Sequence, residues 1–360
     1  MSITFKSFSL IGLIFIFSAC TGLSQPENEE TRNDKPIIGR TIKKLETGVS
    51  RIFQDSQDNY WFASNGLIRY NGETLTRFTT EDGLYSNRIR DIQEDHLGNI
   101  YFDTGEGINK FDGKTIEKLE VIDDRLKARK LEVNDLWFVG DWNSNGVYRY
   151  DGQNLYQLKL PKHTLEEEFK RINPHGSFDP YSSYTTFRDK TGNIWFGGCT
   201  FGACRFNGSS FLWISEREMT EVDPGPAIGV RSILQDLDGN FYFSSDLTSK
   251  YTIVNYDGVD TYEKLDGMKS AQETDRPSSC MSIVQDDEGN FWMANYRGGV
   301  WKYDGEEFTH YPILLNNKEV DLFSIYKDRQ GILWLGTHNA GVYKFNGEDF
   351  ERFEPKLTKR

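Results

Sequence analysis

Apolar residues along the chain come in runs of four to six, separated by polar turns. From about residue 49 onward this alternation recurs with a long period. An aromatic-Asx-Gly tripeptide marks it seven times: Tyr70-Asn71-Gly72, Phe111-Asp112-Gly113, Tyr150-Asp151-Gly152, Phe206-Asn207-Gly208, Tyr256-Asp257-Gly258, Tyr303-Asp304-Gly305 and Phe345-Asn346-Gly347. Successive aromatics lie 41, 39, 56, 50, 47 and 42 residues apart. Upstream of each sits a second aromatic: Trp61, Tyr101, Trp137, Trp195, Tyr242, Trp292 and Trp334. Six of these close a turn with an Asp in register, as in "QDSQDNYW", "EDHLGNIY", "RDKTGNIW", "QDLDGNFY", "QDDEGNFW" and "KDRQGILW". The third unit, "LEVNDLW", has lost most of the turn.

The last unit reads as four strands, Leu322–Lys327, Ile332–Gly336, Gly341–Phe345 and Phe350–Phe353. Short alternating strands joined by Asx-Gly turns are antiparallel hairpins. A lone four-stranded unit cannot bury both faces, so neighbouring units must stack. Repeats of this length and strand count make propeller blades. The expectation is an all-β, seven-bladed β-propeller of four-stranded antiparallel blades over residues 40–360. Blades fall near residues 49–78, 88–119, 131–158, 183–214, 230–265, 280–311 and 322–353. Pro161–Ser183 reads as an insertion with a short helix between blades three and four. Either Thr41–Glu46 or Phe350–Phe353 can supply the outer strand of the last blade.

Composition narrows the function. Lys and Arg total 42 against 55 Asp and Glu, a formal charge of −13. Nucleic-acid binding needs clustered Lys and Arg, and no basic stripe is present. The recurrent Asp turns lack the ligand spacing and closing Glu of a calcium loop. They read as Asx-turns with Gly or Asn in the left-handed position. No metal site and no cofactor is expected. The five His fit no H-E-x-x-H motif, and no nucleophile elbow, P-loop or C-x-x-C occurs. His338 alone falls where loops reach the channel mouth.

The first 19 residues read as a secretory signal peptide, with Lys6 ahead of the apolar run Phe8 to Phe17, too short to span a bilayer. Phe17-Ser18-Ala19-Cys20 resembles the lipobox of bacterial lipoproteins, with Phe17 where Leu is usual. That implies lipidation of Cys20 and an anchor that does not span the membrane. Residues 20–39, polar and acidic, read as a flexible tether. Thr21 after the Cys resembles an outer-membrane address. Cys199 and Cys204 flank a tight loop, which an exported chain can bridge as a disulfide or leave as two thiols.

"FTTEDGLYSNRIRDIQEDHLGNIYFDTGEGINKFDG" (Phe78–Gly113) resembles the two-component regulator propeller repeat. Gly83, Leu84, Asn87, Asp95, Gly98, Tyr101, Thr104 and Gly107 fill its marked places, and Lys327–Gly347 matches better still. The resemblance runs from about Gly48 to Phe353. It implies a periplasmic sensor-type propeller that binds ligands such as carbohydrate fragments. No kinase, receiver or DNA-binding region follows Arg360, so a stand-alone module is expected. The repeat style is also similar to that of the streptogramin B lyases, which implies paired His, a Glu and a divalent metal at one mouth.

Loops joining second and third strands ring that mouth. They supply the candidate ligand-binding residues Asn65, Glu106, Trp142, Asn143, Tyr296, Arg297, His338 and Asn339, with Arg88 from an entry turn. The aromatics with nearby Asn and Arg suit stacking on, and hydrogen bonding to, a sugar. The reading is an exported, lipid-anchored binding or sensing module of the cell envelope for a small molecule or carbohydrate, without catalysis. A metal-dependent lyase or glycan-cleaving enzyme, and a scaffold docking an envelope protein, are the alternatives. Mature protein should begin at Cys20 and take up labelled palmitate, and Cys20→Ser should abolish the label. An unlabelled chain starting elsewhere refutes the anchor.

Overall fold

In the computed structural model, the described residues are 38–143, 145–175, 179–216, 219–220, 229–245, 248–256, 259–269 and 277–358. The segment read as a signal peptide, Cys20 and the residues through 37 read as a tether lie outside them. The recurrent turn shows why each repeat folds alike. Asp286 Oδ1 accepts the backbone N–H groups of Glu288 and Asn290 at 3.0 and 2.8 Å. Its Oδ2 accepts Asn290 Nδ2 at 2.8 Å and Trp292 Nε1 at 2.7 Å. Gly289 takes φ +91°, which a side chain would strain. Trp61, Trp195 and Trp334 donate their indole N–H to Asp55, Asp189 and Asp328 in the same way. Tyr101 does so with its hydroxyl to Asp95 at 2.9 Å. One carboxylate thus closes the hairpin and aims the aromatic six residues on.

The aimed ring enters the next blade. Trp61 packs on Phe102 and Phe111 of blade two, and Tyr101 on Phe138 and Tyr150 of blade three. Trp137, Trp195, Tyr242 and Trp292 repeat this step into blades four to seven. Trp334 completes the circle against Tyr60 of blade one, ring centroids 4.7 Å apart. Each such aromatic buries on the order of 150–250 Å², about 4–6 kcal/mol as an upper bound.

Seven blades result. In blade one the strands are Arg51–Gln54, Tyr60–Ser64, Gly66–Tyr70 and Leu75–Phe78, running outward from the channel. First strands of adjacent blades pack together around the axis, as Arg51–Gln54 does with Asp91–Glu94 and Leu322–Lys327. Phe350–Arg352 supplies the outer strand of blade seven. Arg40–Ile42 instead joins blade one as a fifth strand. The ring therefore closes side by side, without a shared strand. Val49 N–H donates to Thr337 O at 2.8 Å, and Tyr60 Oη donates to Asp328 Oδ2 at 2.8 Å. The insertion does hold a helix, Glu166–Ile172, pinned by the buried Phe169.

Blade three departs from the pattern. Its antiparallel strands are Leu136–Phe138, Val147–Tyr150 and Leu155–Leu158, and Val121–Ile122 adds to the outer edge in parallel. Leu136–Phe138 carries the repeat's Trp and is by register a second strand. Among the described residues no strand pairs with its inner edge. Side chains of the flanking blades serve that edge instead. Trp137 O accepts from Gln93 Nε2 at 2.6 Å and from Thr186 Oγ1 at 2.9 Å. Gly140 N–H donates to Asp103 Oδ2 at 2.8 Å, and Gly140 O accepts from Arg90. With no turn Asp to receive it, Trp137 Nε1 is buried without a partner. A bidentate pair of Arg149 and Asp135 at 2.7 and 3.0 Å, each 2% exposed, braces the blade.

Cys199 and Cys204 are buried and not bridged, the second of the two states the sequence left open. Cys204 stands opposite Phe196 on the ladder. Cys199 is three residues further along, roughly 10 Å at ~3.3 Å per residue, beyond the Cα span of a bridge. Burial pushes the Cys204 thiol up and so keeps it protonated.

Burial alone would raise the Asp286 pKa, yet hydrogen bonds from Trp292, Asn290 and Glu288 hold it below its ordinary value of 3.8. Asp286→Ala should cost about 2–4 kcal/mol in urea unfolding at pH 7. A depressed folded pKa gives stability that is present above the unfolded value. The gap between wild type and variant should therefore shrink as pH falls below 3.8. A pH-independent gap counts against the carboxylate as the staple.

Candidate functional site

The first strands set the site. In five blades a buried Ile packs against the second strand: Ile52, Ile92, Ile233, Ile283 and Ile325. The residue two positions earlier turns to the channel mouth. Those residues are Ser50, Arg90, Arg231, Met281 and Phe323, and all line one cavity of about 320 Å³. In blade four, Tyr184 holds the same place, two before Thr186. Blade three has no first strand, and Trp142 from the loop after its Leu136–Phe138 strand fills the gap. Arg51, Ser64, Arg88 and Ile89 complete the lining. Across the six blades with a first strand, this one repeat position carries Ser, Arg, Tyr, Arg, Met and Phe.

Arginines and aromatics interleave here. The Arg90 guanidinium lies 4.2 Å from the Trp142 ring centroid while donating to Gly140 O and, at 2.6 Å, to Ser183 O. Arg231 lies 3.6 Å over Tyr184, and Trp142 meets Tyr184 edge-on at 5.1 Å. Arg88, exposed, is 5.9 Å from the Trp142 ring. Trp142 Nε1 is buried and has no hydrogen-bond partner. Burial lowers the pKa of Arg51 and Arg90 and raises that of Asp91 and Asp103. Below the mouth, Asp91, Gln93, Asp135, Trp137, Thr186 and Arg188 line about 300 Å³ where the missing strand would run.

Of the residues singled out in the sequence, Arg88 and Trp142 line the cavity. Asn65 bridges to Arg88 through its backbone. Tyr296 and His338 flank Phe323, with ring centroids at 6.2 and 5.3 Å, and Arg297 pairs with Asp321 at 3.2 Å. Glu106, Asn143 and Asn339 are exposed loop residues outside the lining. The reading of the sequence missed Arg51, Arg90, Tyr184, Arg231, Met281 and Phe323. The signal for them was the position two before the first-strand Ile, in "SRI", "RDI", "RSI", "MSI" and "FSI".

Catalytic geometry is sparse. Among the described residues no three His, Cys, Asp or Glu side chains gather to hold a metal. His163 Nε2 lies 2.8 Å from Ser215 Oγ, the spacing of a nucleophile and base. Ser215 Oγ, however, donates to Phe201 O at 2.5 Å, and His163 Nδ1 accepts the Leu165 N–H at 3.1 Å. His163 is therefore a neutral Nε2–H donor, and Ser215 cannot pass it a proton. Burial lowers the His163 pKa below its ordinary 6.5.

Residues 314–339 match the family described as two component regulator propeller. The fold is similar to the extracellular domain described as that of a hybrid two component system, BT4673 of B. thetaiotaomicron. The TM-score is 0.56 at 18% identity, over 84% of this chain and 39% of that chain. It is also similar to a streptogramin B lyase, TM-score 0.60 at 13% identity, over 86% of this chain and 96% of that chain. Virginiamycin B lyase from Staphylococcus aureus gives 0.57 at 15% identity, over 85% and 97%. At these identities the likeness establishes the propeller. The chain spans 39% of the length of the sensor domain it matches. No curated protein matches the chain.

Two measurements check the His163 assignment. Its imidazole should titrate below 6.5 by NMR, as the neutral Nε2–H tautomer. A fluorophosphonate should leave Ser215 unlabelled, and labelling there would restore a nucleophilic dyad.

Proposed function

We propose that the chain is an exported, lipid-anchored binding or sensing module whose site is the mouth of the propeller channel. The observation that carries this is the lining. Six first strands put five different side-chain types at one structural position, and Trp142 fills the place of the missing seventh, which makes an asymmetric pocket from a symmetric scaffold. A volume of about 320 Å³ lies at the small end of the ~300–1,000 Å³ range of ligand sites. Trp142 offers a face for a sugar ring, and the arginines offer hydrogen-bond donors beside it.

The fold likeness to the extracellular domain of a two component system supports a sensing role outside the cytoplasm. No helix among the described residues is long and apolar enough to cross a membrane, so the membrane tie in this reading is Cys20. The lyase-type alternative has the fold likeness in its favour. At the mouth, however, His338 belongs to no group of three or more His, Cys, Asp or Glu side chains that could hold a metal, among the described residues.

Calorimetry of the Cys20→Ser chain against a panel of mono- and disaccharides tests the reading. Binding should be seen, and Trp142→Ala should weaken it about tenfold or more, the worth of one stacked ring and its packing. Binding that survives Trp142→Ala unchanged would move the site away from the mouth.

A further inference from the structure

The charge at the mouth is at odds with the charge of the chain. A protein of formal charge −13 brings four guanidinium groups, Arg51, Arg88, Arg90 and Arg231, to one cavity without any lysine. Resting on the mouth as a ligand site, we propose that its ligand is an anion: a small sugar-sized molecule carrying a carboxylate or sulfate oxyanion.

The first argument is the shortage of acceptors. A neutral sugar presents hydroxyls, which donate as well as accept and so need acceptors around them. The carboxylates that act on Arg51 and Arg90 are Asp91, Asp103 and Asp141, and all three are engaged, Asp141 by the Asn143 N–H at 3.1 Å. Asp103 accepts the backbone N–H groups of Gly105 and Gly140, each at 2.8 Å. Asp91 accepts Gln93 Nε2 at 2.8 Å. At the rim, Glu46 is committed to Arg77 at 2.6 Å. What faces the open volume is a set of donors.

The second argument is that some of these donors are unmet. Arg51, Arg88 and Arg90 form no ion pair with a carboxylate among the described residues. Arg51 reaches only the carbonyl of Ser50, at 3.1 Å, and Arg90 the carbonyls of Gly140 and Ser183. Trp142 Nε1 is buried with no acceptor at all. Asp91 acts on Arg51, and Asp103 and Asp141 on Arg90, only through space, so these partly buried cations are incompletely compensated, and an oxyanion entering the cavity relieves that cost. The planar guanidinium fork matches the planar carboxylate and also the sulfate edge, with hydrogen bonds about twice as strong as neutral ones.

The third argument is that the arginines are held in place beforehand. Arg90 is stacked on Trp142 and tied to blades three and four, and Arg231 is stacked on Tyr184. Their ordering cost is met by the fold, leaving Arg88 as the adjustable member.

Calorimetry on the full Cys20→Ser chain with D-glucuronate, D-glucose 6-sulfate and D-glucose tests this, at low salt and in about 0.5 M NaCl. At least one anion should bind about tenfold or more tighter than glucose and lose affinity in high salt. The stronger of the two anions identifies the oxyanion. Arg88→Gln, on an exposed side chain, should weaken the anion by about tenfold or more at an unchanged melting temperature, and Arg231→Gln should do the same. Glucose binding as tightly as the anions, without salt dependence, overturns the charge assignment and leaves the mouth as a sugar site. Anion binding that neither Arg variant alters overturns the mouth as its location. Absence of binding by all three up to about 10 mM, weaker than the ~4 kcal/mol of millimolar affinity, overturns both readings.

Discussion

The ring hangs on one turn carboxylate in each of six blades. In the recurrent turn an Asp takes two backbone N–H groups on one oxygen, and an amide and an indole or phenol on the other. The turn and the interblade contact are therefore one device. Close the hairpin and the aromatic is already aimed at the next blade. A propeller needs this because no blade buries its own two faces, and the interface must repeat until the last blade meets the first. Trp334 against Tyr60 is that last step. It explains how the ring closes although blade seven draws all four strands from the C-terminal end of the chain.

Where the device is missing, the architecture changes in the way the device predicts. Blade three has no turn Asp, and with it goes the first strand. Trp137 still packs on Phe196 and Phe206, since burial alone keeps a ring in an apolar interface. Its N–H, though, is orphaned. The exposed backbone edge is met by Gln93, Thr186, Arg90 and Asp103 from the blades on either side. The Arg149–Asp135 pair does locally what the staple does elsewhere, with both charges out of water and both forks satisfied. The same loss opens the channel wall beside the mouth and lets Trp142 reach into it.

This history divides what a reader of the sequence can see from what only three dimensions reveal. The seven units, their strands and the role of Asp286 in "QDDEGNFW" follow from spacing, because turn chemistry and interblade packing act on residues a few positions apart. The weak third repeat was visible too, as a turn without its Asp. What it becomes was not visible, since the replacements for its missing strand come from residues some 45 positions upstream and downstream. The mouth was half legible. Loops between second and third strands yielded Trp142, and an entry turn yielded Arg88. The ring of residues two before the first-strand Ile was passed over because Ser, Arg, Tyr, Met and Phe share no chemistry. Variation at a fixed structural position, inside an otherwise regular repeat, is the stronger mark of a site than any one residue type. For Cys199 and Cys204 the sequence left bridge and thiols open: they are close in sequence, but register sets Phe196 across from Cys204, and Cys199 lies just past the end of the facing strand.

The mouth also shows how stability and binding divide the same side chains. Arg90 joins three blades: its backbone N–H donates to Asp103 O at 2.7 Å in its own, and its guanidinium reaches Gly140 and Ser183 in the next two. A lysine could not do this, because the point charge of an ammonium cannot reach two carbonyls along a planar fork and still stack on an indole. The guanidinium thereby becomes part of the wall, and its charge stays in the cavity whether or not anything occupies it. Arg88 differs: it is exposed, and its contact with Trp142 is at the long end of the cation–π range. A rigid cation beside an adjustable one lets a site hold its field while accepting ligands of somewhat different shape. In an otherwise acidic molecule that field is local, since charges beyond about 8 Å are screened at physiological salt. The negative surface then acts at longer range and at low ionic strength only, and the cavity itself governs what stays bound.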